Sequence, residues 1–149
     1  MLSLQDQGLL RQAGYIDGAW VGADSGARLE VNNPASGELL GVVPKMGAAE
    51  TRRAVAAAER AFPGWRSWTA AERAKLLRQW FVCIMDNQED LARLMTAEQG
   101  KPLAESLGEI AYAAAFIEWF AEEGKRVYGN TIPADQRDDR IMVTRVKVV

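Results

Sequence analysis

Histidine is absent from this chain of 149 residues, and cysteine occurs once, as Cys83. A Ser-His-Asp triad, a Cys-His pair and a His-Glu-x-x-His zinc helix each need an imidazole as base or ligand, so the chain contains none of them. A single thiol also excludes an internal disulfide, a four-cysteine zinc site and a cysteine-ligated cluster. These classes of catalytic and metal site are therefore ruled out.

An excess of positive charge is also missing, as are long apolar runs. Lys and Arg number 18 against 20 Asp and Glu, which gives a net charge of −2. Non-specific binding to nucleic acid depends on excess Lys and Arg, so we expect neither nucleic acid nor an anionic membrane as partner. No stretch of about 18 apolar residues occurs, and the first fifteen residues do not resemble a signal peptide. We expect a cytoplasmic protein with a globular composition.

Strand patterns occupy the first third of the chain, after a segment, residues 3–12, that we predict as a short helix. Asp17-Gly18 lies between two short apolar pairs. This dipeptide is typical of tight hairpins because glycine accepts a positive φ. Residues 28–32 alternate between apolar and polar, which predicts a half-buried strand. Residues 39–43 form the next predicted strand, and the intervening Asn33-Pro34-Ala35-Ser36-Gly37-Glu38 is typical of a turn.

Helical periodicity begins at Ala48. We expect the first helix to end at Pro63-Gly64, since proline disfavours helical geometry in the residue before it. Thr69 and Glu72 form a capping-box pattern that predicts a helix over residues 70–85. Its predicted buried face carries the aliphatic stem of Arg73 and the side chains of Leu77, Trp80, Phe81 and Ile84.

A further helix is predicted after Asn87, which with Asp90 has the pattern of an N-terminal cap. It should stop at Gly100, where a positive φ costs little. Pro102 suits the first turn of the next helix. In that helix apolar residues recur at helical spacing as far as Tyr128, over a surface so broad that we expect contact on two sides.

The tail has the pattern of a strand. A polar segment, residues 130–139, precedes residues 140–149, which are rich in β-branched side chains. No partner strand is evident in the sequence, and an unpaired strand exposes its amides and carbonyls. We therefore expect this strand to pair with another subunit or with sequence outside this chain.

Several motifs occur in a specific order along the chain. They are Tyr15-Ile16-Asp17-Gly18-Ala19-Trp20, Asn33-Pro34-Ala35-Ser36-Gly37-Glu38, Val43-Pro44, Ala61-Phe62-Pro63-Gly64-Trp65 and Arg73-Ala74-Lys75-Leu76-Leu77. Taken in this order, they resemble the N-terminal portion of the NAD(P)-dependent aldehyde dehydrogenases, and the resemblance runs from about Tyr15 to Arg145. Two further segments look like the succinate-semialdehyde dehydrogenase branch: Met95-Thr96-Ala97-Glu98-Gln99-Gly100-Lys101-Pro102-Leu103-Ala104-Glu105 and Phe116-Ile117-Glu118-Trp119-Phe120-Ala121-Glu122-Glu123-Gly124-Lys125-Arg126-Val127-Tyr128-Gly129-Asn130-Thr131-Ile132-Pro133.

The resemblance implies an α/β fold in which short strands and then three or four helices form the N-terminal part of a cofactor-binding domain. Residues 1–139 would belong to that domain and residues 140–149 would start an oligomerisation arm, with the catalytic domain absent. The parent enzyme would oxidise succinate semialdehyde to succinate with NAD or NADP, as a homodimer or homotetramer. Its cysteine nucleophile, water-activating glutamate and cofactor-binding residues do not match any position here. We expect the chain alone to be inactive.

By the same resemblance, the last helix lies near the passage through which the aldehyde reaches the nucleophile. Tyr112 and Phe116 are therefore candidates for lining it, against the alternative that they are simple packing residues. No metal ligands are predicted.

Other candidate residues have plainer interpretations. We predict Cys83 as a core residue, because an apolar helix interior raises a thiol's pKa. Residues 22–26 lack the three-glycine spacing and strand-to-helix context of a phosphate loop, and are predicted as a surface turn. The helical glutamates fit a solvated face with Lys101, Lys125 and Arg126 as partners: Glu98, Glu105, Glu109, Glu118, Glu122 and Glu123.

Two alternative functions remain open at this stage. The parent enzyme could act on glutarate semialdehyde or another small aldehyde, because no group that binds a substrate carboxylate is identified. The chain could also be a non-catalytic helical module whose surplus apolar surface forms a dimer or docks on a partner.

Overall fold

The computed structural model describes residues 2–132, 139 and 141–145. Short strands come first, four α-helices follow, and a last pair of strands closes the described chain, so the architecture is α/β. The strands are β1 (Gly14–Ile16), β2 (Ala19–Val21), β3 (Arg28–Asn32), β4 (Leu39–Pro44), β5 (Asn130–Ile132) and β6 (Ile141–Val143), and the helices are α1 (Ala48–Ser67), α2 (Ala70–Asp86), α3 (Gln88–Gln99) and α4 (Leu103–Glu123).

The segment before β1 contains one turn of 3-10 helix, Gln7–Leu9, and not the longer helix predicted over residues 3–12. The backbone is extended on both sides of this turn, at Asp6 and Leu10, and the N–H groups of Gln5 and Asp6 donate to the side chain of Asp90. Leu4, beside them, is buried. Tertiary contacts therefore override local helix formation.

The first hairpin, β1–β2, turns at Asp17 and Gly18 as predicted. Both residues have positive φ, 53° and 81°, which is the geometry that suits the twist of a two-residue hairpin. Tyr15 and Trp20 are directly opposite, with ring centroids 5.2 Å apart in an edge-to-face arrangement.

The second hairpin, β3–β4, confirms the two strands and the turn predicted between them. The Asn33 side chain accepts the N–H groups of Ala35 and Ser36, and Gly37 has a φ of 74°. The turn is thus built from an asparagine that mimics a backbone acceptor and a glycine in the left-handed region.

Helix α1 does not end at Pro63, and that prediction is wrong. The helix continues to Ser67 with Pro63 inside it. Proline removes a single intrahelical hydrogen bond here, and the turn beyond it is held because the Ser67 hydroxyl donates to Gly64 O at 2.7 Å. The helix ends where Thr69 caps the next one.

Helix α2 has the predicted capping box. The Thr69 hydroxyl accepts from the Glu72 N–H, and the Glu72 carboxylate accepts from the Thr69 N–H. Leu77, Phe81 and Ile84 are half-buried as expected, whereas Trp80 is 56% exposed and was wrongly placed on the buried face. The buried strip of α2 is narrower than its apolar sequence suggests.

Helix α3 follows Asn87 and ends at Gly100, whose φ is 81°, as predicted. The predicted cap is wrong, because the Asn87 side chain donates to Cys83 O and makes no capping bond to α3. The Asp90 carboxylate accepts from the N-terminal segment instead.

Helix α4 begins after Pro102 as predicted but ends at Glu123, one turn before the predicted Tyr128. The apolar pattern placed Gly124 and Tyr128 on a buried face, whereas both are exposed. No packing favours helix there, and glycine is a poor helix former.

The tail strand has a partner within the chain, contrary to the prediction. Ile141–Val143 pairs antiparallel with Asn130–Ile132, with Thr131 opposite Met142. The polar appearance of residues 130–139 hid a strand whose Thr131 and Ile132 are β-branched. A Cβ on Gly129 would lie 2.4 Å from Val143 O, so only glycine fits beside this hairpin. Residues 140 and 146–149 of the predicted strand lie outside the described residues.

The core lies where α4 packs against α2 and α3. The residues that are fully or almost fully buried there are small: Ala92, Ser106, Ala114 and Ala121. Small side chains allow the helix axes to approach closely. The large apolar side chains of these helices are half-buried around this core or, as for most of the aromatic ones, exposed.

Candidate functional site

Four aromatic side chains form one exposed surface on α4, which we call the α4 aromatic face: Tyr112, Phe116, Trp119 and Phe120. Their exposed fractions range from 48% to 67%. Both predicted site residues belong to this face. Tyr112 and Phe116 are one helical turn apart, and their rings meet edge to face with centroids 4.9 Å apart.

The opposite side of α4 fixes this surface in place. Ala114 and Ala121 are buried against the neighbouring helices, and the fully buried Ser106 hydroxyl lies 2.8 Å from that of Thr96 on α3. Arg78 of α2 forms an ion pair with Glu118. The packing of this opposite side therefore fixes the orientation of α4 about its own axis, and with it the direction in which the α4 aromatic face points.

The chemistry available to this face is limited to binding. Its side chains are aromatic, and its polar groups are the Tyr112 hydroxyl and the Trp119 indole N–H, so it suits mainly an apolar or methylene-containing part of a ligand. Among residues 2–132, 139 and 141–145, no three His, Cys, Asp or Glu side chains come together as a potential metal site. The face can position a ligand, but it contains no nucleophile.

Cys83 is exposed, so its prediction as a core residue is wrong. Two residues turn an α-helix through about 200°, which places Cys83 on the far side of α2 from the half-buried Phe81. Sequence reasoning treated the whole apolar run of α2 as interior. The helix presents only one edge of that run to α4.

The turn at residues 22–26 does not suit a nucleotide phosphate. The Asp24 N–H donates to Glu50 at 2.8 Å, and the Asp24 carboxylate pairs with both terminal nitrogens of Arg53. The Glu50 carboxylate also accepts the Gly47 N–H at 2.9 Å, so an anion already occupies the N-terminus of α1. The surface-turn interpretation agrees with these contacts. The residues present here do not fit a dinucleotide.

Glu50 and Asp90 are buried carboxylates that sequence reasoning missed as organising groups. Donation from the backbone N–H groups of Asp24, Glu50 itself and Gly47 lowers the pKa of the Glu50 carboxyl. The N–H groups of Asp6 and Gln5, with a smaller effect from Arg93, lower the pKa of Asp90. Glu50 fastens the turn at Asp24 to α1, and Asp90 fastens the N-terminal segment to α3. Gly47 is a local partner of Glu50, but Asp24 lies 26 residues from Glu50 and the partners of Asp90 lie 84 and 85 residues away, so no local pattern identifies these long-range contacts.

The glutamates of the helices pair with cations, as predicted for several of them. The ion pairs are Lys101 with Glu109, Lys125 with Glu122, and Arg126 with Glu123. These pairs are solvent-accessible and of the kind that contributes little to stability. None of the described helices has both the length and the apolarity needed to cross a bilayer.

The comparisons with known proteins agree with the motifs. Residues 20–148 match the model of the aldehyde dehydrogenase family. The chain is 63% identical to a glutarate-semialdehyde dehydrogenase of Pseudomonas aeruginosa and 60% identical to the succinate-semialdehyde dehydrogenase [NADP(+)] of Escherichia coli, over 97% of this chain and 30% of each relative. The solved succinate-semialdehyde dehydrogenase of Burkholderia pseudomallei superposes with a TM-score of 0.88 at 60% identity, covering 94% of this chain and 29% of that one.

The match with these relatives shows which part of the family fold this chain contains. The chain spans about 30% of the length of the relatives it matches. Its short strands and four helices match the N-terminal part of the cofactor-binding domain. The chain therefore belongs to the aldehyde dehydrogenase family, as an N-terminal portion of that fold.

Proposed function

We propose that this chain is the N-terminal portion of a cytoplasmic dehydrogenase that oxidises succinate semialdehyde to succinate. In that reaction the aldehyde carbon gains an oxygen from water and gives a hydride to NAD or NADP. The observation that carries this proposal is the 60% identity with the Escherichia coli succinate-semialdehyde dehydrogenase [NADP(+)] across 97% of the chain.

Glutarate semialdehyde is the second candidate substrate, favoured by the 63% identity with the Pseudomonas aeruginosa enzyme. The two substrates differ by one methylene, which is worth about 0.8 kcal/mol of burial. An apolar passage alone discriminates weakly between them. The substrate class, a short aldehyde with a terminal carboxylate, is the firmer part of the proposal.

We propose that Tyr112 and Phe116 line the path of the aldehyde. Their exposure of 67% and 48%, their mutual ring contact and the packed support behind them suit a wall for a methylene chain. Neither side chain can act as the nucleophile. In this proposal the chain supplies a binding surface, while the reacting thiol and the cofactor site belong to other parts of the enzyme.

Residues 140–149 are proposed to begin an oligomerisation arm. The described part of this segment forms β6, whose Ile141, Met142 and Val143 are all exposed in a two-stranded hairpin. Exposed β-branched residues on an open sheet edge favour pairing with another chain. A homodimer or homotetramer is the assembly that we expect for the whole enzyme.

The experiment compares three aldehydes with the full-length protein that contains this sequence: succinate semialdehyde, glutarate semialdehyde and uncharged butanal. Reduction of NAD and of NADP is followed by absorbance, and the isolated 149-residue chain is the matched control. We expect the full-length protein to prefer both semialdehydes over butanal and the isolated chain to show no turnover. A preference for butanal, or turnover by the isolated chain, would contradict the proposal.

A further inference from the structure

The N-terminal segment, residues 2–12, crosses the surface of the helical region as a strap. Its polar side chains are exposed, whereas Leu4 is buried and Leu2, Leu9 and Leu10 are half-buried. With a single fully buried side chain, the segment belongs to the part of the fold that opens most easily. Directed polar contacts at its two ends therefore add to this apolar contact in holding it in place.

Asp90 of α3 provides the first contact. One carboxylate oxygen accepts the Gln5 N–H at 3.0 Å and the other accepts the Asp6 N–H at 2.8 Å. Asp90 is only 4% exposed. Hydrogen bonds to a carboxylate are stronger than those between neutral groups, so this is the tightest attachment of the strap.

Gln12 provides the contact at the other end. Its side-chain oxygen accepts the Val42 N–H of β4 at 2.8 Å. Val42 is opposite Glu30, two positions along from the pair of Arg28 with Pro44. Pro44 has no N–H, so it cannot form a hydrogen-bonded pair with Arg28. Hydrogen-bonded pairs occur at every second position of an antiparallel ladder, so the pair of Val42 with Glu30 is not hydrogen-bonded either. The Val42 N–H therefore points away from β3. Gln12 therefore closes the open edge of the β3–β4 hairpin.

The strap also makes one ring contact, and its first residues line one side of an open cavity. The Arg11 guanidinium lies 5.0 Å from the centroid of the Trp20 ring. Leu2 and Ser3 form part of the wall of a cavity of about 320 Å³, which Thr96 and Leu103 line from the side of the helices. Detachment of the strap would remove that wall.

We propose that residues 2–12 dock and release as one unit, fastened at Asp90 and at Val42, and that release opens both the cavity and the outer edge of β4. The helical core does not depend on the strap, because α4 packs directly on α2 and α3. Release is thus a local opening and not the first step of global unfolding. The charged groups around the Asp90 contact are Asp6 of the strap and Glu89 and Arg93 of α3. Glu89 and Arg93 form an ion pair with each other.

The test is amide hydrogen exchange by NMR on the whole 149-residue chain. Asp90→Asn keeps the size of the side chain and replaces one acceptor oxygen with a donor, and Gln12→Leu removes the acceptor at the other end. Asp86→Asn is the matched control for the first variant, since Asp86 is exposed at the end of α2. Gln12→Glu is the control for the second, because a carboxylate oxygen still accepts.

A strap that moves as one unit predicts effects at the far end. Asp90→Asn should speed exchange of the Val42 N–H at least tenfold, and Gln12→Leu should do the same for Gln5 and Asp6, while the controls change less than twofold. Exchange of the buried Ala114 amide reports the core in the same spectra and should stay unchanged. If Asp90→Asn unfolds the core, Gln12→Leu decides the question by itself, because Gln12 is exposed. Acceleration confined to the amides at the altered end, or an equal acceleration at Ala114, would overturn the proposal.

Discussion

The hydroxyl oxygens of Thr96 and Ser106 lie 2.8 Å apart across the junction of α3 and α4, and Ser106 has no exposed surface. A buried hydroxyl costs free energy unless it finds a partner, so the two side chains must be considered together. This polar pair lies among alanines, where the helices approach most closely.

Ser106→Ala should lower the free energy of unfolding by about 1 kcal/mol, because it leaves the Thr96 hydroxyl without its partner. Thr96→Val should have a similar cost, since valine keeps the shape and removes the oxygen. The double variant should lose less than the sum of the two. Urea unfolding of the four proteins measures the coupling, and strictly additive effects would argue against a hydrogen bond between the two groups.

We predict that the Glu50 carboxylate makes a pH-dependent contribution to the free energy of unfolding of the chain. Its pKa in the folded chain is lowered from 4.5, so the folded state favours the carboxylate more than the unfolded state does. The stability that it contributes should be present in full above the unfolded pKa and should be lost as the pH falls through the folded value. Glu50→Gln should therefore be less stable than the parent chain near neutral pH, and the difference should vanish in acid.

Urea unfolding at a series of pH values checks this prediction, with Glu59→Gln at an exposed position of α1 as the control. The control should show no comparable pH-dependent difference. A constant gap between Glu50→Gln and the parent chain across the acidic range would mean that Glu50 acts through packing rather than charge.

Two glycine substitutions should shift stability in opposite directions. Gly64 lies inside α1 with no atom within 4 Å of an added Cβ, so Gly64→Ala should stabilise the chain by about 0.5–1 kcal/mol. Gly100 has a φ of 81°, and its Cβ would lie 3.0 Å from Pro34 Cγ. Gly100→Ala should therefore cost about 1–2 kcal/mol. Urea midpoints measured side by side give the two signs, and shifts in the same direction would contradict the backbone argument.

Local signals in the sequence were sufficient for the turns and the helix starts. Asp17-Gly18, the capping box of Thr69 and the left-handed Gly100 each depend on residues within a few positions of one another, and the structure has all three. The family resemblance was sufficient to predict the fold class, because the motifs occur in the same order as in the family.

Features that depend on distant residues were not predictable in the same way. Asp90 has the pattern of a cap, but its partners lie 84 and 85 residues away. Helix α1 passes through Pro63 because the next turn is held from within, and Cys83 is exposed because only one edge of α2 meets α4. Apolar periodicity does not tell which apolar side is covered, and on α4 it does not distinguish the α4 aromatic face, which is exposed, from the alanine side, which is buried.

Substitutions on the α4 aromatic face should separate a substrate wall from a purely structural role. Phe116→Ala and Tyr112→Ala in the full-length enzyme should each raise KM for succinate semialdehyde by about four- to fifteenfold, because each of the one or two substrate methylenes that loses its apolar contact costs about 0.8 kcal/mol. Neither residue is proposed to enter the chemical step, so kcat should change little. Tyr128→Ala is the control, since Tyr128 is as exposed as Tyr112 but lies beyond the end of α4. If KM is unchanged in both variants, or rises equally in the control, the aldehyde does not pass along this face and its aromatic side chains serve another contact.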